Sequence, residues 1–162
     1  MIAVGEALPV SQFTKVTEEG VKNYSTEEIF SGKKVVLFAV PGAFTPTCHL
    51  KHLPGFIREA DKIRKMGVDD IVCISVNDAF VLDAWGKSTG AQDRVTFLAD
   101  GNADFTRKLG LELDGSGFGM GTRSRRYAMI VQNGVVKNFF LESKPSEAEV
   151  SGADSVLAAL SK

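Results

Sequence analysis

Lys34 to Cys48 reads KVVLFAVPGAFTPTC, and its reading decides the fold. Lys34 to Val40 is β-branched and apolar, with no alternation of polar residues, which predicts a strand buried on both faces. Pro41 to Thr45 forms a turn. A helix is predicted to start at Pro46, with Thr45 as N-cap and proline at the first helical position. A buried strand that turns at once into a helix is the unit from which parallel α/β sheets are built.

The pattern extends outward from there. Leu50, Leu53, Phe56, Ile57, Ala60 and Ile63 follow at helical spacing, so this helix packs on the sheet. Pro54 lies inside it, removes one backbone hydrogen bond and predicts a kink. Ile71 to Val76 reads as a second buried strand. Asn77-Asp78 is placed to cap a helix over Ala79 to Lys87. Val95 to Ala99 predicts a short strand, Ala103 to Leu109 a short helix, and Gly115 to Gly121 a glycine-rich loop. Tyr127 to Gln132 and Val135 to Leu141 are strands joined by Asn133-Gly134, a strong hairpin signal. Ser151 to Leu160 predicts a closing helix, and the first thirty or so residues an irregular or hairpin entry. The order β-α-β-α-β-α-β-β-α implies a mixed central sheet flanked by helices, an α/β fold that is thioredoxin-like in outline.

The 162 residues suit one compact domain, 1–162. Apolar residues make up 44% and charged residues 24%, with 19 basic against 20 acidic side chains and a net charge of −1. That balance points away from nucleic acid and from anionic membrane as partners. The sequence offers no run long enough to span a bilayer and no signal-peptide pattern at its start, which leads to a cytoplasmic expectation.

Two cysteines, Cys48 and Cys73, are too few for a disulfide framework and suit a reducing compartment. The histidines His49 and His52 would complete a zinc ligand count, but the spacing matches no usual zinc pattern. Cys73, within IVCISV, reads as a small buried hydrophobe. Cys48 is different, because it falls in the first turn of a helix that follows a buried strand. Unpaired amides and the helix dipole favour a thiolate there, and a nearby arginine would add to the effect. The C-terminal end of a central strand is also where open α/β sheets place their sites.

Pro41-x-x-x-Thr45-x-x-Cys48 resembles the active-site signature of the peroxiredoxins, and VPGAFTPTCHLKHLPGF (Val40 to Phe56) resembles the type II, peroxiredoxin-5-like subfamily. ISVND (Ile74 to Asp78), Ala84-Trp85, FLADG (Phe97 to Gly101) and GTRSRRYAMIV (Gly121 to Val131) extend the resemblance over nearly the whole chain, in order. It implies a peroxidase of hydrogen peroxide and alkyl hydroperoxides, with Cys48 as the peroxidatic cysteine that becomes sulfenic acid. Thr45 would bond the thiolate and the peroxide, Pro41 would shield the sulfur, and Arg126, last of the RSRR run, would be the active-site arginine. A threonine hydroxyl has one donor and two acceptor sites, so Thr45 is expected to cap the helix as well. Arg123 and Arg125 are expected to be solvated or to pair within loops. His52 matches the family run but reads as a packing or capping residue. Phe44 and the loop Gly117 to Gly121 are expected to line an apolar mouth. The subfamily suggests a homodimer.

Some subfamily members carry a second, C-terminal cysteine that resolves the sulfenic acid. Glu142 to Lys162 has none. An external thiol, glutathione with glutaredoxin, is therefore expected as reductant, with no resident cofactor; a thioredoxin-dependent cycle through a Cys48–Cys73 disulfide is the alternative. Two other readings share the reactive Cys48. A thiol–disulfide oxidoreductase is disfavoured by the lack of C-x-x-C, and a redox sensor would have little turnover.

Overall fold

The computed structural model describes residues 1–162. The entry segment is a hairpin, β1 (Gln12–Thr17) and β2 (Gly20–Ser25), followed by a short helix α1 (Thr26–Phe30). Ser25 and Glu28 close a capping box at the start of α1, which stops the hairpin and turns the chain. Then come β3 (Lys34–Val40), a π-helical turn (Cys48–His52), α2 (Leu53–Lys65), β4 (Asp70–Ser75), α3 (Ala79–Thr89), β5 (Thr96–Ala99) and α4 (Asp104–Leu109). A small two-stranded ladder, β6 (Glu112–Asp114) and β7 (Thr122–Ser124), brackets the glycine-rich loop. The chain ends with β8 (Tyr127–Gln132), β9 (Val135–Leu141) and α5 (Ala153–Leu160).

The main sheet has seven strands in the order β2-β1-β5-β4-β3-β8-β9. β3, β4 and β5 are parallel, and β8 joins β3 antiparallel. The mixed sheet and the helices on both faces match the expected fold class. Of the two forms expected for the entry segment, irregular or hairpin, the chain adopts the hairpin, whose strands are polar along most of their length and carry little apolar alternation, while β6 and β7 lie where no strand was expected.

β3 is buried on both faces. Val36, Phe38 and Val40 join one core with Leu53, Phe56 and Ile63 of α2, Trp85 of α3 and Val156 of α5. Val35, Leu37 and Ala39 join a second core with Phe30, Phe105 and Leu109. Successive side chains of a strand point to opposite faces, so an unbroken apolar run feeds both cores at once. Phe38 stacks on Phe56 at a centroid distance of 4.1 Å, which anchors α2 over the middle of the sheet.

The expected kink at Pro54 takes a specific form. The amide of Leu53 bonds the carbonyl of Cys48, one residue further back than an α-helix allows. Pro54 has no N–H, and its ring crowds the carbonyl four residues earlier, so the ladder slips ahead of it into a π turn. That turn holds both Cys48 and His52.

Candidate active site

Cys48 sits where β3 hands over to the helix, and it is fully buried. Asn77 holds the preceding turn, accepting a hydrogen bond from the Ala43 amide (3.0 Å) and another from the Ser75 hydroxyl (2.6 Å). Asn77 therefore serves the Cys48 loop, while Asp78 alone caps α3 through the Val81 amide. Phe44 takes a left-handed backbone (φ 64°), which folds the turn tightly enough to bring Thr45 back towards Gly42. Gly42 leaves the room for this: a Cβ there would lie 3.0 Å from the Thr45 methyl and 3.1 Å from the Arg123 guanidinium.

The first backbone bond of the helix runs from the His49 amide to Thr45 O (2.9 Å). The Thr45 hydroxyl does not cap the helix as expected. Its oxygen lies 2.6 Å from Gly42 O and 3.0 Å from Cys48 Sγ. A carbonyl can only accept, so the single hydroxyl proton serves either Gly42 or the sulfur at any moment. No first-turn amide donates to the hydroxyl oxygen, whose place is set by Gly42 O and Cys48 Sγ.

Arg126 immediately precedes β8, whose Tyr127 pairs with Ala39 of β3. This register puts Arg126 beside the C-terminal end of β3, within reach of the Cys48 turn. Its buried guanidinium donates to Cys48 Sγ (3.0 Å), to His52 Nδ1 (2.9 Å) and to Pro145 O (3.1 Å). All three contacts are directional, so the guanidinium plane has little freedom.

His52, which reads in the sequence as a packing or capping residue, holds Arg126. Nδ1 accepts from Arg126, so Nε2 carries the proton and donates to Ser151 O (2.9 Å). Burial, with Arg126 as the second cause, pushes the imidazole pKa down to about 3, so His52 stays neutral. Its spacing of four residues from Cys48 on one helix was the available signal, but nothing local distinguishes an arginine-holding histidine from a packing one.

A redoxin family model matches residues 3–157. Peroxiredoxin-2B of Arabidopsis thaliana is 46% identical over 160 residues, covering 98% of each chain. The chain belongs to the peroxiredoxin family. Among solved structures, reduced Prx3 of Vibrio vulnificus in complex with hydrogen peroxide superposes with a TM-score of 0.94 at 54% identity, covering 99% of each chain. Peroxiredoxin 5 of Alvinella pompejana superposes with a TM-score of 0.88 at 33% identity, again over 99% of each chain. The peroxiredoxin is thus a thiol peroxidase of the type II, peroxiredoxin-5-like kind.

A cavity of about 330 Å³ opens beside the sulfur. Pro41, Thr45 and Arg126 line it, together with the apolar side chains of Leu113, Phe118 and Met120. Phe44 was expected at this mouth but lies elsewhere. Its ring sits 5.9 Å from the His49 ring and 6.4 Å from that of Trp85. Phe44 takes no part in the cavity lining. Arg123 also lines the cavity, tied to Met120 O at 2.9 Å, while Arg125 reaches Glu142 O at 3.4 Å. Both pair with loop carbonyls.

Cys73 packs in the same core as Cys48, on the α2 face of the sheet. Burial, then the neighbouring Cys48, pushes its thiol well above the usual range. The cysteines and histidines do not gather with carboxylates into a metal-ligand cluster.

Proposed function

We propose that Cys48 is the peroxidatic residue, activated by Arg126 and Thr45. The observation that carries this reading is the pair of donors, one guanidinium and one hydroxyl, each 3.0 Å from one sulfur. The sulfur attacks one peroxide oxygen as a thiolate, the O–O bond breaks, and the second oxygen leaves with its electron pair. A proton converts that oxygen to water or an alcohol, and Cys48 becomes sulfenic acid. Negative charge moves from sulfur to the leaving oxygen during this step. Arg126 is positioned to stay with that charge without reorganising, and the Thr45 hydroxyl needs only a rotation to follow it. Pro41, in the cavity lining, keeps water from the sulfur.

The sulfenic acid is then reduced from outside the chain. One glutathione thiol displaces water to give a mixed disulfide. A second thiol, from glutaredoxin or glutathione, attacks the glutathione sulfur of that disulfide, frees Cys48 as a thiolate and carries the glutathione off in a new disulfide. Cys73 is a poor internal resolver because it is fully buried in mid-strand and its thiol is held protonated. No resident cofactor is needed, since sulfur carries both half-reactions. This reading also takes the enzyme to work in a reducing cytoplasm as a homodimer.

The test is intact-mass analysis after one equivalent of peroxide, with glutathione present. A glutathione adduct on Cys48 is expected. A Cys48–Cys73 disulfide would instead establish the thioredoxin-type cycle. Steady-state assays with the glutathione and thioredoxin systems side by side check the same point and expose a sensor with little turnover.

A further inference from the structure

Glu142 is a buried carboxylate with no basic side chain within salt-bridge distance. Burying a charge is costly unless it is well bonded, so its partners matter. Both lie on one residue: Glu142 Oε2 accepts from the Ser151 amide (2.6 Å) and from the Ser151 hydroxyl (2.5 Å). Glu142 directly follows β9, and Ser151 shortly precedes α5. The carboxylate therefore pins together the two ends of an irregular segment that lies against the active site.

Three carbonyls of that segment hold active-site side chains. Pro145 O accepts from Arg126 Nε, Ser146 O from the Thr47 hydroxyl, and Ser151 O from His52 Nε2. The last contact fixes the His52 tautomer and leaves Nδ1 free to accept from Arg126, which in turn donates to Cys48 Sγ. The geometry points to Glu142 and Ser151 as positioning residues of the peroxidase, which act through His52 to aim Arg126 at Cys48. This rests on the reading that Arg126 activates Cys48. Neither residue touches the sulfur; each secures the group that secures the guanidinium, and small misplacements of a charge-stabilising donor are costly to rate.

The experiment uses the full chain and two readouts. The first is the second-order rate of Cys48 oxidation by hydrogen peroxide, followed by the fluorescence of Trp85. It is the only tryptophan, and its Nε1 donates to His49 beside Cys48. The second is the ¹⁵N NMR signature of the His52 ring, which distinguishes the Nε2–H tautomer from its alternative. Glu142→Ala is expected to lower the rate by about tenfold or more and to lose the single Nε2–H signature. Glu142→Gln keeps an acceptor for Ser151 and is expected to restore both. If Glu142→Ala does not fold, Ser151→Ala, which deletes only the hydroxyl, is expected to lower the rate severalfold and broaden the His52 signals. A folded Glu142→Ala or Ser151→Ala variant at the wild-type rate overturns the proposal, as does a slow one with an unchanged His52 signature. Arg126→Gln separates the layers. If it reacts at the wild-type rate, activation by Arg126 falls and this proposal with it. If it is slow while Glu142→Ala is fast, only the positioning role falls.

Discussion

Arg126 and Cys48 stand 78 positions apart in the chain, and the guanidinium of one donates to the sulfur of the other at 3.0 Å. The same guanidinium is held by His52 and by Pro145 O, so its aim at the sulfur is built into the resting fold. A charge placed before reaction does not have to be brought in during it.

Removing that charge should cost the most. Arg126→Gln is expected to lower the rate of reaction with hydrogen peroxide by about 10²–10³-fold, the scale for deleting one preorganised donor. Stopped-flow fluorescence on variants with native circular dichroism checks this, and an unchanged rate would remove Arg126 from the mechanism.

Thr45 should show a sharper chemical distinction. Thr45→Val keeps the shape but strips the hydroxyl shared between Gly42 O and Cys48 Sγ. A hydrogen bond to a charged group contributes about 1.5–3 kcal/mol, which predicts a rate loss of roughly ten- to a hundredfold. Thr45→Ser should recover most of it. A valine variant faster than the serine variant would mean that the methyl, not the hydroxyl, matters.

Acid should weaken the fold through His52. Its folded pKa is about 3, against an ordinary 6.5, so the unfolded chain takes up the proton first as pH falls. The contribution of neutral His52 is complete above pH 6.5 and is lost progressively as pH drops from 6.5 towards 3. Each proton taken up on unfolding adds a slope of about 1.4 kcal/mol per pH unit over that window. In urea titrations from pH 7 to pH 4, His52→Gln should show a shallower fall in stability than the wild type. Parallel curves would contradict the assignment.

Tyr127 offers a control away from the chemistry. Its hydroxyl is buried without a hydrogen-bond partner, and burial pushes its pKa far up. A lone buried hydroxyl is a cost rather than a gain, so Tyr127→Phe should leave stability unchanged or raise it by about 1 kcal/mol. A thermal melt decides, and a clear loss of stability would show that the hydroxyl has a partner.

Cys73 should be dispensable for turnover. Cys73→Ala is expected to keep the peroxidase rate with glutathione and glutaredoxin, with a modest stability loss from the small void in the core. A collapse of turnover in a folded variant would restore the internal disulfide cycle.

Much of the fold could be read from the chain. The unbroken apolar run of β3 marks a central strand because only a strand covered on both faces tolerates it, and Asn133-Gly134 marks the β8–β9 hairpin because few residues adopt its positive φ angles. The position of Cys48 at the start of a helix follows from the same local rules. The small ladder around the glycine-rich loop was not legible, since β6 and β7 have three residues each and no apolar alternation. The π turn was half legible: Pro54 announces a defect, but where the ladder slips depends on what the neighbouring carbonyls can bond.

Local periodicity and turn chemistry by themselves determined the strand–turn–helix unit, the mixed sheet and the place of Cys48 in the turn after β3. The tertiary structure decided the geometry around the sulfur. It took the Ala39–Tyr127 register to bring Arg126 beside β3, the slip before Pro54 to accompany His52 and Cys48 in one turn, and the Glu142–Ser151 contact to set a loop against both. It also set the Phe44 ring against His49 and Trp85 and the Thr45 hydroxyl against Gly42 O and Cys48 Sγ. The reason is physical. Secondary structure is selected by neighbours within a few positions, whereas a buried polar group takes whichever partner the pairing of distant strands brings within hydrogen-bond reach.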